Sequence, residues 1–382
     1  MGFIITKKKF AFVAHPLSSE YIRNVVHIPD RLATRWVMNF LEKTIAYSPP
    51  LVYSKIDGIK SIDGTEAEGW IITVGGTPNQ MMSRDPEFTY KRLIAASRLA
   101  EKLGAQIMGL GAFTKVVGDA GVTVAKHSPI PITTGNSYSS SAALWAAADA
   151  MKRMGLVKIP NGGKEKLKAT SMVIGATGAI GSVSSRLLSM VFDEIVLCGR
   201  NEQKLLDLKN SICHDNPDIK ILTTIESDSY LPDADLIVTA TSGAGKKILD
   251  ITKVKPGCVI TDVARPLDLK PEDIATRPDV MYIESGEIEV PVKNRLIMRD
   301  IQLPKNVVFA CMAETIVLAL EGRFEEFTIG RNIEWKKVKE IYKLGLKHGM
   351  KLAAISGVNG VYRQKDIDKI RDLALKARAN NR

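Results

Sequence analysis

Apolar runs of strand length alternate with helical stripes along the first 160 residues. Residues 10–15 (FAFVAH), 69–74 (GWIITV) and 106–110 (QIMGL) are short and nearly continuous in apolar character. Runs of this length between polar stretches predict buried strands. Leu93, Ala96, Ala100 and Leu103 recur at helical spacing and Gly104 follows, which predicts a helix over residues 89–103. After Pro131-Ile-Thr-Thr-Gly-Asn136, serines crowd residues 137–141 ahead of a helical stretch over 142–154 that Gly155 stops. Those serines are expected to cap the helix by accepting its first backbone N–H bonds.

The polar, glycine-rich segment 160–168 reads as a linker. Beyond it the order becomes strand, glycine turn, helix, strand, helix, strand. Residues 172–174, 194–198, 236–239 and 258–261 are nearly continuous in apolar character, as strands of a parallel sheet buried on both faces should be. A further apolar run at 307–311 leads into a predicted helix over 312–321, and a stripe over 334–348 predicts another before Gly349. At 382 residues the chain exceeds one ordinary core. The fold class expected is α/β: an N-terminal α/β substrate domain (1–165), a central Rossmann-type parallel-sheet domain (166–305) and a C-terminal helical region (306–382).

Composition narrows this picture. Apolar residues make up 45% and charged residues 25%, the proportions of a globular chain. No run of about eighteen apolar residues predicts a transmembrane segment. The apolar piece at 2–6 precedes Lys7-Lys8-Lys9, the reverse of a secretory signal, although Met1-Gly2 with Thr6 fits the loose myristoylation pattern. The four cysteines, at 198, 213, 258 and 311, form no CxxC pair, which disfavours a disulfide framework or structural zinc site and points to a reducing cytoplasm. Net charge is +11, and residues 331–382 hold 14 Lys and Arg against 5 Asp and Glu. Such a basic region suits an acidic partner, a nucleic acid or an anionic lipid surface, or serves as a solvated helical face. No nucleic-acid motif accompanies it, and no nucleic-acid partner is expected.

The chemistry-bearing motif is Gly175-Ala-Thr177-Gly178-Ala-Ile180-Gly181, placed between a predicted strand and a predicted helix. Gly175 permits the tight turn, Gly178 lets a pyrophosphate approach the backbone, and Gly181 allows close helix–sheet packing. The helix start offers free N–H groups to phosphate. An NAD-binding domain ordinarily carries Asp or Glu at the end of its second strand, whereas this strand ends Leu197-Cys-Gly-Arg200-Asn201. A carboxylate repels a 2′-phosphate and a guanidinium grips it, so NADP is the expected cofactor, with Arg200 and Asn201 beside it. Thr241, in the turn after 236–239, is expected on the nicotinamide side.

Among the cysteines, Cys198 and Cys258 sit in predicted core strands and Cys213 in a polar loop after a helix. Cys311 falls where an apolar run meets a helix start, whose amides favour a thiolate. A buried cysteine at a strand end is also common, and spacing leaves both readings open.

Together, Ala14-His15, the segment 109–114 (GLGAFT), Thr133-Thr-Gly-Asn136, the glycine turn, Gly199-Arg200-Asn201, Phe309-Ala-Cys311-Met-Ala-Glu314, Leu320-Glu-Gly322 and Gly330-Arg-Asn332 resemble, in order, the long-chain acyl-[acyl-carrier-protein] reductase family. The resemblance runs over about residues 10–351. It implies NADPH-dependent reduction of a fatty acyl thioester, on acyl carrier protein or coenzyme A, to an aldehyde, with Cys311 as the acylated nucleophile. It also implies that the aldehyde is released or passed to a consuming enzyme. Oxyanion donors are expected from the loop 133–136, with Asn136 among them. Glu314 in the first helical turn is expected to serve its helix dipole rather than relay a proton, and His15 to be a satisfied core histidine. Residues 69–82 and the tail beyond about 352 depart from the family pattern, which leaves acyl length and carrier open. Two other readings remain: a dehydrogenase related to shikimate and quinate dehydrogenases, which needs no nucleophile, and an NADPH-binding redox sensor without turnover.

Overall fold

In a computed structural model the chain is described at residues 7–15, 29, 31, 34–76, 81, 83–111, 114, 118–160, 165–241, 247–264 and 267–380. Residues 1–6, 112–113 and 161–164, the last being four positions of the polar link 160–168, carried expectations and lie outside the described residues. By internal contact it divides into two units: residues 1–138, 288–332 and 340–351, and residues 139–287, 333–339 and 352–382. Among the described residues no helix is long and apolar enough to cross a membrane.

In the first unit β1 (Lys8–Ala14), β2 (Leu51–Lys60), β3 (Glu66–Thr73), β4 (Met108–Leu110) and β5 (Ile132–Thr133) join the strand Val292–Ile297 in one sheet. Its order is Val292–Ile297, β2, β3, β1, β4, β5, and β3, β1, β4 and β5 run parallel. The expected strands are present with shifted ends; His15 lies one residue beyond β1. The helix expected over 89–103 spans Pro86–Lys102, with Asp85 accepting from Glu87 N–H as its cap and Gly104 at φ +85° as its stop. The antiparallel hairpin β2–β3 was not anticipated, because polar residues interrupt β2 (LVYSKIDGIK) without regular alternation and its register with β3 shifts twice.

The helix Ala310–Glu321 belongs to this unit, and every residue from Ala310 to Leu320 is buried. It packs on β1, β3 and β4. A helix that is apolar all round must be covered all round. That packing is why the contact boundaries depart from the expected divisions at 165 and 305. Periodicity reveals a helix but not the sheet that receives it.

In the second unit β6 (Leu167–Ile174), β7 (Phe192–Cys198), β8 (Lys220–Thr224), β9 (Leu236–Thr239), β10 (Val259–Asp262) and β11 (Met281–Glu284) form a parallel sheet in the order β8-β7-β6-β9-β10-β11. This is the doubly wound order 3-2-1-4-5-6, whose direction of winding reverses between its first and fourth strands, here β6 and β9. Short antiparallel strands, Ser356–Gly357 and Gly360–Val361, extend the β11 edge. The fold is α/β with a Rossmann-type sheet, as expected. Ala146, Ala147, Ala150 and Met151 belong to this unit's core, so most of the helix Asn136–Met154 goes with it. Cys213, expected in a loop, lies inside the helix Glu202–Asp215, which runs past the polar residues taken for its end.

Candidate active site

The glycine turn sits at the reversal point of the second unit's sheet. Gly175, at φ +86°, leaves β6, and its N–H donates to Cys198 O on neighbouring β7 at 2.9 Å. A Cβ at Gly175 would lie 2.6 Å from Ala240 O, and one at Gly181 would lie 2.1 Å from Gly175 O. Both positions are therefore closed to any side chain by the protein's own backbone. Gly178 differs: a Cβ there meets nothing nearer than 3.2 Å. That contact, with Gly175 O, is tight but stops short of the collisions at Gly175 and Gly181. Gly178 is also the N-cap of the helix Ala179–Ser189, which has no side-chain cap bond and no acidic residue in its first turn. Its unpaired N–H groups and positive dipole end thus remain available to an anion. Thr177 and Ile180 flank the turn half-buried.

Arg200, just past β7, is exposed and makes no ion pair among the described residues. Asn201 accepts Lys204 N–H at 2.9 Å as the cap of the next helix, a structural duty in addition to the cofactor contact expected of it. No carboxylate stands at residues 198–201 to repel a 2′-phosphate.

Thr241 follows β9, and its N–H donates to Asp268 at 3.0 Å while its hydroxyl bonds the other oxygen of the same carboxylate. Burial, countered by the Thr241 bonds and reinforced by the Asp262 charge, pushes Asp268 up to about 6. Asp262, at the end of β10, accepts N–H bonds from Ala264 (3.0 Å), Asp268 (2.7 Å) and Leu269 (3.3 Å) and a hydroxyl from Tyr282 (3.0 Å). Burial raises its pKa against these bonds. The two aspartates tie down the loop that positions Thr241. Neither was singled out from the sequence, since an Asp at a strand end carries no motif.

In the first unit the carboxyl ends of β1 and β5 present His15 and the loop Thr134-Gly135-Asn136. His15 is buried at 5% exposure and has a partner, in keeping with a core histidine. Cys311 is the second residue of the helix Ala310–Glu321, one position inside the expected strand–helix junction, and is 9% exposed. That helix has no side-chain cap bond and no acidic residue in its first turn. Gly135, at φ +72°, passes directly over the cysteine, and Asn136 follows, 5% exposed. The loop and the sulfur-bearing residue, 176 positions apart in sequence, are thus in contact.

Glu314 is fully buried. It accepts Tyr138 N–H at 2.9 Å and the Thr133 hydroxyl. It therefore caps the helix Asn136–Met154 rather than serving its own helix, as expected from its place in the first turn. The serines at 137–141 lie within that helix, which begins six residues before position 142, so the anticipated serine cap is replaced by a glutamate distant in sequence. Thr328 completes the cluster, its N–H donating to Thr133 Oγ1 at 3.2 Å and its hydroxyl to Ser137 Oγ at 2.7 Å. Cys198 and Cys258 are buried thiols. Burial pushes the Cys198 thiol up to about 11 and raises that of Cys258 further.

The chain is 28% identical over 345 residues to the aminotransferase PigE of a Serratia species, a match covering 89% of this chain and 39% of that protein. It is 26% identical over 326 residues to the long-chain acyl-[acyl-carrier-protein] reductase of Synechococcus elongatus, covering 81% of this chain and 89% of that one. The likeness to that reductase runs over most of both chains and is distant. Shikimate dehydrogenase (NADP(+)) of Maricaulis maris matches at 32% over 99 residues, 25% of this chain and 34% of that enzyme. No family model matches the chain. The match spans well under half the length of PigE.

Proposed function

We propose that the protein is an NADPH-dependent reductase of a fatty acyl thioester, carried on acyl carrier protein or coenzyme A, that forms an aldehyde through an acyl-Cys311 intermediate. The observation that carries this reading is Cys311 itself, in the first turn of a helix whose amide groups no side chain caps, under a glycine that leaves no room for a side chain. Unpaired amides at a helix start stabilise a thiolate.

In this reading the Cys311 sulfur bonds to the thioester carbonyl carbon and the carrier thiol leaves with a proton, giving a thioester on the enzyme. Asn136 and the backbone of the loop 134–136 donate to the oxyanion. Gly175, Thr177, Gly178, Ile180 and Gly181 hold the cofactor pyrophosphate, Arg200 and Asn201 its 2′-phosphate, and Thr241 the nicotinamide side. The chemistry that bound NADPH supplies is hydride donation to the thioester carbonyl, which releases aldehyde and frees the Cys311 sulfur. The basic segment 331–382 favours encounter with an acidic carrier protein or with coenzyme A phosphates. A cytoplasmic enzyme that hands its aldehyde to a consuming partner completes the reading.

The test is to incubate the chain with palmitoyl-CoA in the absence of NADPH and weigh it. An acyl increment that maps to Cys311 and disappears on adding NADPH is expected, with Cys311→Ala at least ~1,000-fold slower in aldehyde formation. An unmodified chain that still oxidises NADPH with a hydroxy-acid or keto-acid partner, and a Cys311→Ala variant of undiminished rate, would turn the assignment to a shikimate-dehydrogenase-like enzyme.

A further inference from the structure

Ser61, His348 and Glu321 meet in the first unit, well separated in sequence. Ser61 opens the turn between β2 and β3, Glu321 ends the buried helix Ala310–Glu321, and His348 ends the helix Trp335–His348. Ser61 Oγ lies 2.9 Å from His348 Nδ1, and His348 Nε2 lies 2.7 Å from Glu321 Oε2. Serine and histidine are 3% and 1% exposed.

The proton positions follow from the chemistry of the partners. Lys347 Nζ donates to both oxygens of Glu321 at 2.7 Å, and Glu321 has its pKa lowered, the Lys347 and His348 bonds outweighing its burial. An ionised carboxylate only accepts, so Nε2 carries the hydrogen. In the neutral imidazole Nδ1 is then the acceptor, and the Ser61 hydroxyl donates to it. Asp63 Oδ2 also lies near this ring, 3.7 Å from Nδ1. This is the hydrogen-bond order of a nucleophile, its base and the carboxylate that orients the base.

A hydrogen-bonded latch between a hairpin turn and two helix ends would explain the three contacts but not the space beside them. Ser61 lines a cavity of about 570 Å3, within the range of small-molecule sites. Ile62, Pro291, Glu289, Lys293 and Lys351 also line it. Lys60 lines it too and is paired with Glu66 at 3.4 Å, whereas Lys293 and Lys351 are exposed and make no ion pair among the described residues, so two unpaired cations stand there beside one carboxylate, Glu289.

We propose that Ser61, His348 and Glu321 form a second nucleophilic site, separate from Cys311, at which Ser61 is acylated by a small anionic ester held in this cavity. Ser61 Oγ bonds to the ester carbonyl carbon as its proton passes to His348 Nδ1. The bond from that carbon to the alcohol oxygen breaks, and the alcohol leaves with the proton. Water then attacks the serine ester with its proton held at Nδ1, releasing the carboxylic acid and restoring Ser61. One water is consumed and nothing is oxidised or reduced. The Asp63 N–H, 3.4 Å from Ser61 Oγ, is a backbone donor beside the attacking oxygen.

The experiment uses the full chain carrying Cys311→Ala, so that the cysteine contributes nothing, and no cofactor. It is treated with a fluorophosphonate probe and mapped by peptide mass spectrometry, and hydrolysis of 4-nitrophenyl hemisuccinate is followed in parallel. The expected result is one phosphonyl adduct on Ser61 and ester hydrolysis that falls at least ~100-fold in Ser61→Ala. Faster turnover of the hemisuccinate than of 4-nitrophenyl acetate is expected from the two lysines. Because His348 is buried, its substitution endangers folding, so the test keeps His348 intact and rests on the adduct at Ser61 together with the Ser61→Ala rate. A folded chain that takes up no probe at Ser61, or whose hydrolysis changes less than twofold in Ser61→Ala, overturns the proposal and leaves a latch.

Discussion

Gly135 lies so close to Cys311 that a Cβ added to it would stand 2.3 Å from the cysteine Cα and 2.4 Å from its Cβ. The loop that ends β5 and the helix that carries the candidate nucleophile are therefore closely fitted at Gly135. Gly135→Ala has no room to be accommodated, and φ +72° adds backbone strain. We expect a loss of about 1–3 kcal/mol in stability, as for other overpacked cores. Acylation of Cys311 should slow by a larger factor than thermal stability alone explains. Equal rates in variant and parent, measured by mass spectrometry of the acyl-enzyme, would contradict the fit.

The three glycines of the nucleotide turn are expected to respond differently to alanine. At Gly181 the new Cβ collides with Gly175 O at 2.1 Å, so Gly181→Ala should lower the melting temperature by several degrees. At Gly178 the Cβ would stand 3.2 Å from Gly175 O, a tight contact that a shift of a few tenths of an ångström relieves, so Gly178→Ala should melt closer to the parent than Gly181→Ala does. Its NADPH affinity, followed by fluorescence titration, should nonetheless fall tenfold or more. Unchanged binding in a normally melting Gly178→Ala variant would remove the phosphate role from this turn.

Arg200 is exposed and without an ion pair among the described residues, and its substitution should cost little stability. Arg200→Ala is expected to raise the NADPH dissociation constant about 10- to 100-fold, the loss of about 1.5–3 kcal/mol for hydrogen bonds to a charged group. NADH binding should move less than threefold. Parallel loss of both cofactors would show that the arginine does not read the 2′-phosphate.

Asp268 should leave a signature in the pH dependence of stability. Its folded-state pKa of about 6 stands above the ordinary 3.8, so the native chain holds the extra proton between these values. Its contribution to stability is then complete below about pH 4 and is lost as pH rises through 6. Asp268→Asn cannot titrate. The stability of the parent minus that of the variant, from urea unfolding, should decline from about pH 4 to 6 and be flat above about 7. A difference that rises over that interval would reverse the assignment.

Local grammar carried much of the fold. The step from strand through Gly175-Ala-Thr-Gly178 to helix was legible because turn geometry and the switch in apolar period are written in adjacent residues, and the sheet that contains it has the expected doubly wound class. Strand and helix ends moved by a few residues, as with the helix that begins at Asn136 rather than near 142. What could not be read was every relation made across the chain. Glu314 seeks Tyr138, 176 residues away, and Ser61 meets His348 across 287. Neither pair has a spacing rule to betray it. Asp262 and Asp268 were overlooked for a different reason: their meaning is burial, and an aspartate in a loop-forming stretch reads as exposed.

The helix Ala310–Glu321 has an implication for how the protein is made. It covers β1, β3 and β4, all of them complete by residue 110, yet it is synthesised some 200 residues later. During translation the early sheet must wait, with Phe12 and its apolar neighbours uncovered, until residues 310–321 have left the ribosome. A gene cut after residue 165 would thus yield an amino-terminal piece deprived of its own lining, prone to clump and in need of a chaperone, whereas supplying the missing carboxy-terminal portion in trans should restore it to solution.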